Sequence, residues 1–269
     1  MERASQFKMR IATWNVNSIK AHLDAVTTWL NEAKPDVLCL QEIKCEDQNF
    51  PASVFEELNY NSAVFGQKTY NGVAILSKFP LENVVRGLPG AASDEQSRYI
   101  QAIVVDGSRS ATVASIYLPN GNPTDSPKYP YKLAWMDRLI AHTKDLLKHE
   151  EALILAGDYN VIPKVVDAKT PGQWVKDALF LPTTRAKFQE LEALGLTDAF
   201  RALHPTAANQ FTFFDYQAGA WQKENGIRID HLMLSPQAAD RLVSAHIEKH
   251  VRGWEKPSDH VPLVIELRS

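Results

Sequence analysis

Short apolar runs rich in β-branched residues recur along the whole chain, and each run ends in polar or turn-forming residues. Runs of this length and composition are typical of buried β-strands. Eight of them predict strands: RIATWNVN (10–17), DVLCLQE (36–42), GVAILS (72–77), YIQAIVV (99–105), TVASIYLPN (112–120), ALILAGDYN (152–160), IRIDHLMLS (227–235) and HVPLVIEL (260–267). We expect the segments 99–105 and 111–118 to pair as a hairpin, because so few residues separate them.

Helical patterns, with apolar residues three or four positions apart, lie between these runs. They predict four helices: one capped by Ser18, one that follows Tyr131, one that begins at Thr183 or Thr184, and one capped by Ser235. The apolar faces expected for the first three are Ile19, Leu23, Val26 and Leu30; Leu133, Met136, Ile140 and Leu147; and Phe188, Leu191 and Leu194, with Gly195 ending the third helix. The helices are too few for strict alternation with the strands, which favours mixed β-sheets over a Rossmann fold.

The composition is that of a globular protein with a large core, because 45% of the 269 residues are hydrophobic. No linker, repeat or low-complexity segment divides the chain, which predicts one α/β domain over residues 9–269 after a short polar lead-in at 1–8. Cys39 and Cys45 fit neither zinc nor redox spacing, and this usage favours the cytoplasm. No segment has the length of a membrane span, so we expect no membrane partner.

The formal net charge of −3 argues against a protein that coats nucleic acid, since such proteins are usually basic. Contact with nucleic acid would therefore have to rely on a local group of cations. The candidates for such a group are Arg98, Lys128, Lys132, Lys223, Arg228, Arg252 and Lys256.

Polar side chains follow four of the predicted strands, at the carboxyl ends where open α/β sheets build ligand sites. They are Asn15 and Asn17; Glu42; Tyr117, Asn120 and Asn122; and Asp158 and Asn160. Two further segments add Asp230, and Asp259 with His260. Each feature alone has a plain explanation as a turn or a solvated strand end. Their recurrence in six segments favours a single site.

A site that joined Glu42, Asp158, Asp230 and Asp259 would hold up to four negative charges, which cannot all ionise without compensation. The donors are carboxylate and amide oxygens with one histidine and no thiolate, so Mg²⁺ or Mn²⁺ fits better than zinc. Such a metal, with a tyrosine hydroxyl and a histidine beside a carboxylate, suits hydrolysis of a phosphoester.

The segments TWNVNSIKA, LCLQEIK, YNGVAILSK, YLPNGNP, GDYNV, FTFFDYQAGA, GIRIDHLMLSP and KPSDHVPL resemble, in this order, the exonuclease III family of bacterial apurinic/apyrimidinic endonucleases. That family belongs to the superfamily of exonucleases, endonucleases and phosphatases. The resemblance runs from about Arg10 to the C-terminus. It implies a four-layer αββα sandwich of two mixed β-sheets flanked by helices. It also implies Mg²⁺-dependent incision 5′ to abasic sites, with 3′→5′ exonuclease and 3′-phosphatase activity on double-stranded DNA. We expect a monomer.

The resemblance also implies roles for the catalytic residues. Glu42 is then the principal metal ligand, with Asn15 close by and Asp259 serving the same region. Asp158 positions or deprotonates the attacking water. His260 contacts the scissile phosphate, and which of the two is the general base stays open.

The remaining implied roles are supporting ones. Asp230 orients the ring of His260, Asn160 assists Asp158, and Tyr117 contacts the phosphate or the leaving oxygen. Residues implied to bind the substrate are Arg98, Asn120 and Lys128, together with Phe213, Ile227 and Ile229 as the pocket for an extruded abasic sugar. Trp221 stands in a polar loop, which favours a wedge into DNA over core packing.

Three positions depart from the family pattern. Ile43 stands where threonine is common, Asn225 where a basic residue is common, and Ile227 where some relatives have a larger side chain. The small Ile227 could shift the balance between exonuclease and abasic-site activity. Two alternatives are another phosphoesterase of the superfamily, acting on RNA, inositol phosphates or lipids, and a catalytically silent DNA-binding scaffold. The first should lack the FTFFDY and GIRID segments, and the second should lack a catalytic side chain.

Overall fold

A computed structural model describes residues 8–107 and 109–268, in which twelve strands form two six-stranded β-sheets. In chain order they are β1 (Lys8–Asn15), β2 (Val37–Gln41), β3 (Asn61–Phe65), β4 (Val73–Ser77), β5 (Leu81–Arg86), β6 (Tyr99–Asp106), β7 (Arg109–Tyr117), β8 (Leu153–Asp158), β9 (Thr197–Asp198), β10 (Asp230–Leu234), β11 (Leu242–Ile247) and β12 (Leu263–Arg268). Residues 1–7 of the predicted lead-in lie outside the described residues, and Lys8 already belongs to β1.

Both sheets are mixed, as the sequence predicted. Sheet one has the order β11-β12-β1-β2-β4-β3, and sheet two has the order β5-β6-β7-β8-β10-β9. The parallel pairs are β1 with β2 and β7 with β8, whereas β6 and β7 form the predicted antiparallel hairpin. All eight predicted strands are present with somewhat different ends, and β3, β5, β9 and β11 were missed.

The described residues form six α-helices: α1 (Leu23–Ala33), α2 (Ala52–Glu57), α3 (Lys128–Leu147), α4 (Pro182–Ala193), α5 (Ala199–Leu203) and α6 (Pro236–Ala239). Helices α1 to α4 cover the outer faces of the sheets, whereas α5 and α6 bury residues in the core between them. One apolar core lies between the sheets, a second under α1 and α2, and a third under α3 and α4. The four-layer αββα prediction is therefore confirmed. No helix in the described part of the chain is long and apolar enough to cross a membrane.

Three of the predicted helix starts were displaced. Ser18 does not cap α1, which begins at Leu23 after His22, so Ile19 is buried in the turn before the helix. Helix α3 begins at Lys128, before Tyr131, and its buried face includes Trp135 and Leu139. Helix α4 begins at Pro182, just before the predicted threonines, since proline fits the first helical position. Ser235 and Pro236 begin α6 as predicted.

The space between the sheets changes from apolar to polar toward one end. Thr13, Gln41 and Ser115 are fully buried there, and Gln41 Nε2 donates to Thr13 Oγ1 and Ser115 Oγ, each at 3.0 Å. Because successive side chains alternate between the faces of a strand, residues two positions beyond Thr13 and Ser115 point into the same space. These residues are Asn15 and Tyr117, and the sheets therefore place them at the polar end.

Candidate active site

Strand register brings three predicted residues of sheet two together. Asp158 at the end of β8 lies opposite Tyr117 of β7 and opposite Asp230 of β10. Directly opposed residues project from the same face of a sheet. That face packs against sheet one, as the burial of Ala156 and Leu232 in the core between the sheets indicates.

Asn15 of sheet one connects the two sheets at this point. Its fully buried Nδ2 group donates to Glu42 Oε1 and to Asp158 Oδ2, each at 2.9 Å. Glu42 directly follows β2 and has a positive φ of 49°, which turns the chain out of the strand and back toward Asn15. The amide of Asn15 thus fixes two carboxylates from different sheets relative to each other.

His260 lies between two carboxylates. Its Nδ1 donates to Asp230 Oδ2 at 2.8 Å, and its Nε2 is 3.7 Å from Asp158 Oδ2. Burial alone would lower the pKa of His260, but the charges of Asp230 and Asp158 outweigh burial and raise it. Burial raises the pKa of Asp158, and the positive charge of His260, which lowers this pKa, does not outweigh burial. The ring is therefore held as a cation next to a carboxyl group that gains a proton easily.

Lys44 and Asn17 link Glu42 to Asp259. Lys44 Nζ is 3.0 Å from Glu42 Oε2 and also donates to Asn17 Oδ1, while Asn17 Nδ2 donates to Asp259 Oδ1 at 3.2 Å. Burial would raise the pKa of Glu42, but the hydrogen bond from Asn15 and the charge of Lys44 together lower it. Sequence reasoning gave Lys44 no role, although it follows Glu42 by two residues in the QEIK segment.

The acidic donors fit a hard divalent cation. Within residues 8–107 and 109–268, one group of His, Cys, Asp or Glu side chains places at least three ligand atoms within 4.8 Å of one another. This group consists of Asp158, Asp230 and His260. Asp230 Oδ1 is buried there without a hydrogen-bond partner. With Glu42 and Asp259 the site has four carboxylates, and the cationic groups in direct contact with them are Lys44 and the His260 ring. Oxygen donors in such a site suit Mg²⁺ or Mn²⁺.

Tyr117 and Arg98 lie at the edge of this cluster. Burial and the nearby charges of Glu42 and Asp158 raise the pKa of the Tyr117 hydroxyl well above its usual value, so it stays a hydrogen-bond donor. The Arg98 guanidinium stacks 4.7 Å from the centre of the Tyr117 ring. Arg98 is thereby held with its charge beside the site.

A polar groove of about 460 Å³ continues from Arg98 away from the acidic cluster. Asn120 and Lys128 line it as well, so the structure brings together three predicted substrate-binding residues. Tyr70 also lines the groove and is 68% exposed, which is unusual for a large aromatic side chain. Sequence reasoning missed it, although an aromatic residue beside the Asn71-Gly72 turn is a signal of exposure.

Asn160 and Lys132 support the floor of the site. The Asn160 backbone N–H donates to Asp158 Oδ1 at 2.9 Å, and its side chain accepts from Asn120 Nδ2 at 3.2 Å. Lys132 is fully buried and donates to the carbonyl oxygens of Asn120 and Asn160. Burial lowers the pKa of Lys132 to about 7.

Three cations predicted as DNA contacts are therefore corrected. Lys132 and Arg228 are fully buried, and Arg252 is nearly so. Arg228 pairs with Asp167 and Asp198, and Arg252 donates to the carbonyl oxygen of Phe214. Their partners are within the protein, since a buried charge is unfavourable without one.

The predicted sugar pocket is only partly open. The Phe213 ring lies 5.0 Å from the ring of His260 and is half-buried. Ile227 and Ile229 are buried with Leu179 in a small apolar cluster, and Ile227 also lines a small pocket beside Phe213. Trp221 is also half-buried, with its ring packed edge-on against Phe214 at 5.0 Å.

Comparison with known proteins identifies close likenesses over nearly the whole chain. The model of the Endonuclease/Exonuclease/phosphatase family matches residues 12–260. Exodeoxyribonuclease III of Haemophilus influenzae is 33% identical over 267 residues, covering 97% of this chain and 100% of that protein. The DNA repair nuclease APEX1 of Danio rerio is 31% identical over 264 residues, covering 96% of this chain and 82% of that protein.

Solved structures show the same likeness. A Neisseria 3′ phosphatase, NExo, bound to a product DNA hairpin, superposes with a TM-score of 0.93 and 38% identity, covering 97% of this chain and 100% of that one. An AP endonuclease from Archaeoglobus fulgidus superposes with a TM-score of 0.90 and 37% identity, covering 96% and 98% of the two chains.

Proposed function

The chain belongs to the endonuclease/exonuclease/phosphatase family and is a nuclease of the exonuclease III type, and on this premise we propose that it hydrolyses phosphodiester bonds of duplex DNA. It incises a strand 5′ to abasic sites, and it removes nucleotides and terminal phosphates from 3′ ends. The observation that carries this proposal is the meeting of Asp158, His260 and Asp230 at one end of the two sheets.

In the proposed reaction, His260 binds the scissile phosphate and Asp158 orients and deprotonates the attacking water. The hydrogen bond from Nδ1 to Asp230 leaves the Nε2 side of His260 to face the substrate. The raised pKa of His260 keeps the ring positively charged, which suits contact with a phosphate and does not suit a base. This charge state favours Asp158 as the general base.

Tyr117 and Asn160 complete the proposed catalytic set. The raised pKa of Tyr117 keeps its hydroxyl protonated, so it donates to a phosphate or leaving-group oxygen. Asn160 holds Asp158 through its backbone N–H, and its side chain is fixed by Asn120. Both residues thus act with little rearrangement.

Enzymes of this family depend on a divalent metal, and we propose Mg²⁺, with Mn²⁺ as a substitute. Glu42 would hold it, with Asn15 and Asp259 in the same region. The bound cation supplies positive charge that stabilises the negative charge developing on the phosphate. Mg²⁺ is expected to raise the free energy of unfolding by about 2.7 kcal/mol at a hundredfold excess over its Kd. Thermal unfolding of Glu42→Gln should show a much smaller increase, and an equal increase would refute the assignment.

DNA binding is proposed along the groove lined by Arg98, Asn120 and Lys128. Arg98 and Lys128 answer the objection raised by the net charge of −3, because both cations line this one groove. Phe213, Ile227 and Ile229 form the apolar side of the site, and Trp221 contacts the duplex. We further propose that the protein acts as a monomer in the cytoplasm, where free thiols such as Cys39 and Cys45 stay reduced.

The test uses two labelled duplexes, one with a single abasic-site analogue and one undamaged, each with Mg²⁺ and with EDTA. We expect rapid incision 5′ to the analogue and slower trimming of 3′ ends, both abolished by EDTA. Asp158→Asn is the matched control for a contaminating nuclease. If the wild-type protein cleaved neither duplex in the presence of metal, the proposal would be wrong.

A further inference from the structure

A pocket beside Phe213 includes two of the residues predicted to receive an extruded abasic sugar, Phe213 and Ile227. It has a volume of about 240 Å³ and is lined by Trp174, Phe213 and Ile227 together with polar residues that include Gln173 and Asn225. Phe213 separates it from the catalytic ring at 5.0 Å. A group bound in this pocket would therefore lie one aromatic ring away from His260.

Trp174 is the unexplained member of this pocket. The apolar cluster of Ile162, Ala168, Leu179, Phe180, Ile227 and Ile229 is buried. Trp174 and Phe213 are the partly buried hydrophobic residues that pack against this cluster in the described part of the chain, and both line the pocket. A tryptophan that served only to close the core could lie below the surface, as Trp14, Trp29 and Trp135 do.

The segment that carries Trp174 is fixed at both ends. Before it, Ala168 pairs with Ile227, and Thr170 Oγ1 donates to Asn225 Oδ1 at 2.9 Å. After it, Asp177 Oδ1 accepts a hydrogen bond from Asn122 Nδ2 at 3.0 Å. A short 3₁₀ helix, Pro171–Gln173, lies between these anchors and ends at Trp174. The indole is therefore presented beside the pocket by a held backbone.

We infer that Trp174 stacks on the nucleobase of a 3′-terminal nucleotide and so supports removal of normal nucleotides more than incision at abasic sites. This inference rests on the proposed function. An aromatic face is a general stacking surface for bases, and Gln173 and Asn225 offer polar groups to base edges. An abasic residue has no base, so it gains nothing from the indole. Trp174 is thereby a specificity-determining residue for the two substrates.

The experiment compares kcat and KM on two DNAs, a duplex with a recessed 3′ end and a duplex with an internal abasic analogue. Trp174→Ala is expected to lower kcat/KM for 3′ nucleotide removal by about 5- to 150-fold, from the energy of one base–aromatic stack. Abasic-site incision should change by less than about threefold. Trp174→Phe should restore most of the loss, because a benzene ring still stacks.

Val175→Ala is the matched control, since Val175 is the next residue, is 56% exposed and does not line the pocket. It should leave both activities unchanged. An equal loss of both activities in Trp174→Ala would indicate a structural role and overturn the inference. An unchanged rate of 3′ nucleotide removal would overturn it as well.

Binding in EDTA separates this inference from the proposed function, because stacking needs no metal. The wild-type protein should bind a duplex with a 3′-terminal nucleotide more tightly than one with a 3′-terminal abasic residue, and Trp174→Ala should lose that difference. If the wild-type protein binds both DNAs equally, the inference is wrong even where cleavage occurs. If neither duplex is cleaved in metal but the difference in binding is present, the proposed function fails and the stacking role stands.

Discussion

Strand β10 separates two buried polar clusters, because its consecutive residues Asp230 and His231 point to opposite faces of sheet two. Asp230 faces sheet one and belongs to the candidate active site. His231 faces the helices, where its ring packs against Phe188 and Tyr159 at 5.1 and 5.4 Å. Behind it lies a group of four charged residues, Asp167, Asp198, Arg201 and Arg228, called here the ion cluster.

The ion cluster is balanced. Arg228 lies 2.8 Å from an oxygen of Asp167 and 2.8 Å from one of Asp198, and Arg201 pairs with Asp167 as well. His231 accepts from Arg228 and donates to Val161 O. Burial and the charge of Arg228 lower the pKa of His231 to about 4, so it adds no charge of its own at neutral pH.

The candidate active site lacks this balance. Its carboxylates outnumber its cations, and Asp230 Oδ1 is one of two buried side-chain atoms without a hydrogen-bond partner among the described residues. Buried polar groups that serve stability are normally satisfied, so an unsatisfied buried carboxylate oxygen beside these charges favours a functional role for the site. The comparison predicts that substitutions in the site change activity, whereas substitutions in the ion cluster change stability.

The largest effect is expected for Asp158→Asn. Loss of the proposed base should lower kcat by about 10²- to 10⁴-fold. The substitution removes a hydrogen-bond acceptor of Asn15, which destabilises the fold, and it also removes the charge repulsion with Asp230, which stabilises the fold. The free energy of unfolding should therefore change by less than about 1 kcal/mol. Steady-state cleavage and urea unfolding measure the two quantities. Near-normal activity would remove Asp158 from the mechanism.

Arg228→Met should show the opposite pattern. The substitution leaves the buried carboxylates of Asp167 and Asp198 with less compensating positive charge. Removing one partner of a buried ion pair lowers the free energy of unfolding by about 3–5 kcal/mol. Urea unfolding measures this loss, and kcat of the folded protein at low temperature should stay within about tenfold of wild type. A loss below about 1 kcal/mol would show that the ion cluster contributes little.

The pH dependence of Arg228→Met sharpens the comparison. Burial would raise the pKa of Asp167 and Asp198, but the charge of Arg228 outweighs it and lowers both. Carboxyl groups with a lowered pKa stabilise the fold above the unfolded value of about 3.9, and this stability is lost as the pH falls through the folded pKa. Without Arg228 the pKa values rise, so protonation in acid then favours folding.

The difference in the free energy of unfolding between wild type and Arg228→Met should therefore be largest at neutral pH and shrink below about pH 4. Urea titrations at a series of pH values measure it. A difference that grew in acid would contradict the assigned pKa directions. Asp158→Asn, which leaves the ion cluster intact, is the control for a general loss of stability in acid.

The sequence predicted the inner strands and missed the outer ones for a physical reason. The four missed strands, β3, β5, β9 and β11, are the edge strands of the two sheets. Edge strands are commonly short and partly polar, because one side faces solvent. Strand β5, for example, has no buried residue, so it lacks the apolar signal that marks β8, where every residue is buried.

The acidic part of the site was predictable, whereas the sequence did not distinguish a buried structural cation from a cation that could contact DNA. Asp158 and Glu42 stand at the ends of apolar runs, and the period of a strand determines which face they occupy. Arg228 is surrounded by a similar apolar pattern, but its partners Asp167 and Asp198 come from segments distant in the chain. No local pattern reports such long-range pairing, so a buried cation was mistaken for a surface cation.

The smallest effect is expected for Lys78→Met, which makes the same kind of substitution as Arg228→Met at an ion pair near the surface. Lys78 Nζ lies 3.2 Å from Asp36 Oδ1, but the lysine side chain is 33% exposed. Water can solvate Asp36 when the lysine is removed, and Asp36 keeps its hydrogen bond from the Arg10 backbone N–H. The loss in the free energy of unfolding should therefore be about 0–1 kcal/mol and should diminish further with added salt. A loss equal to that of Arg228→Met would mean that burial does not distinguish the two pairs, and the contrast between the ion cluster and the surface would fail.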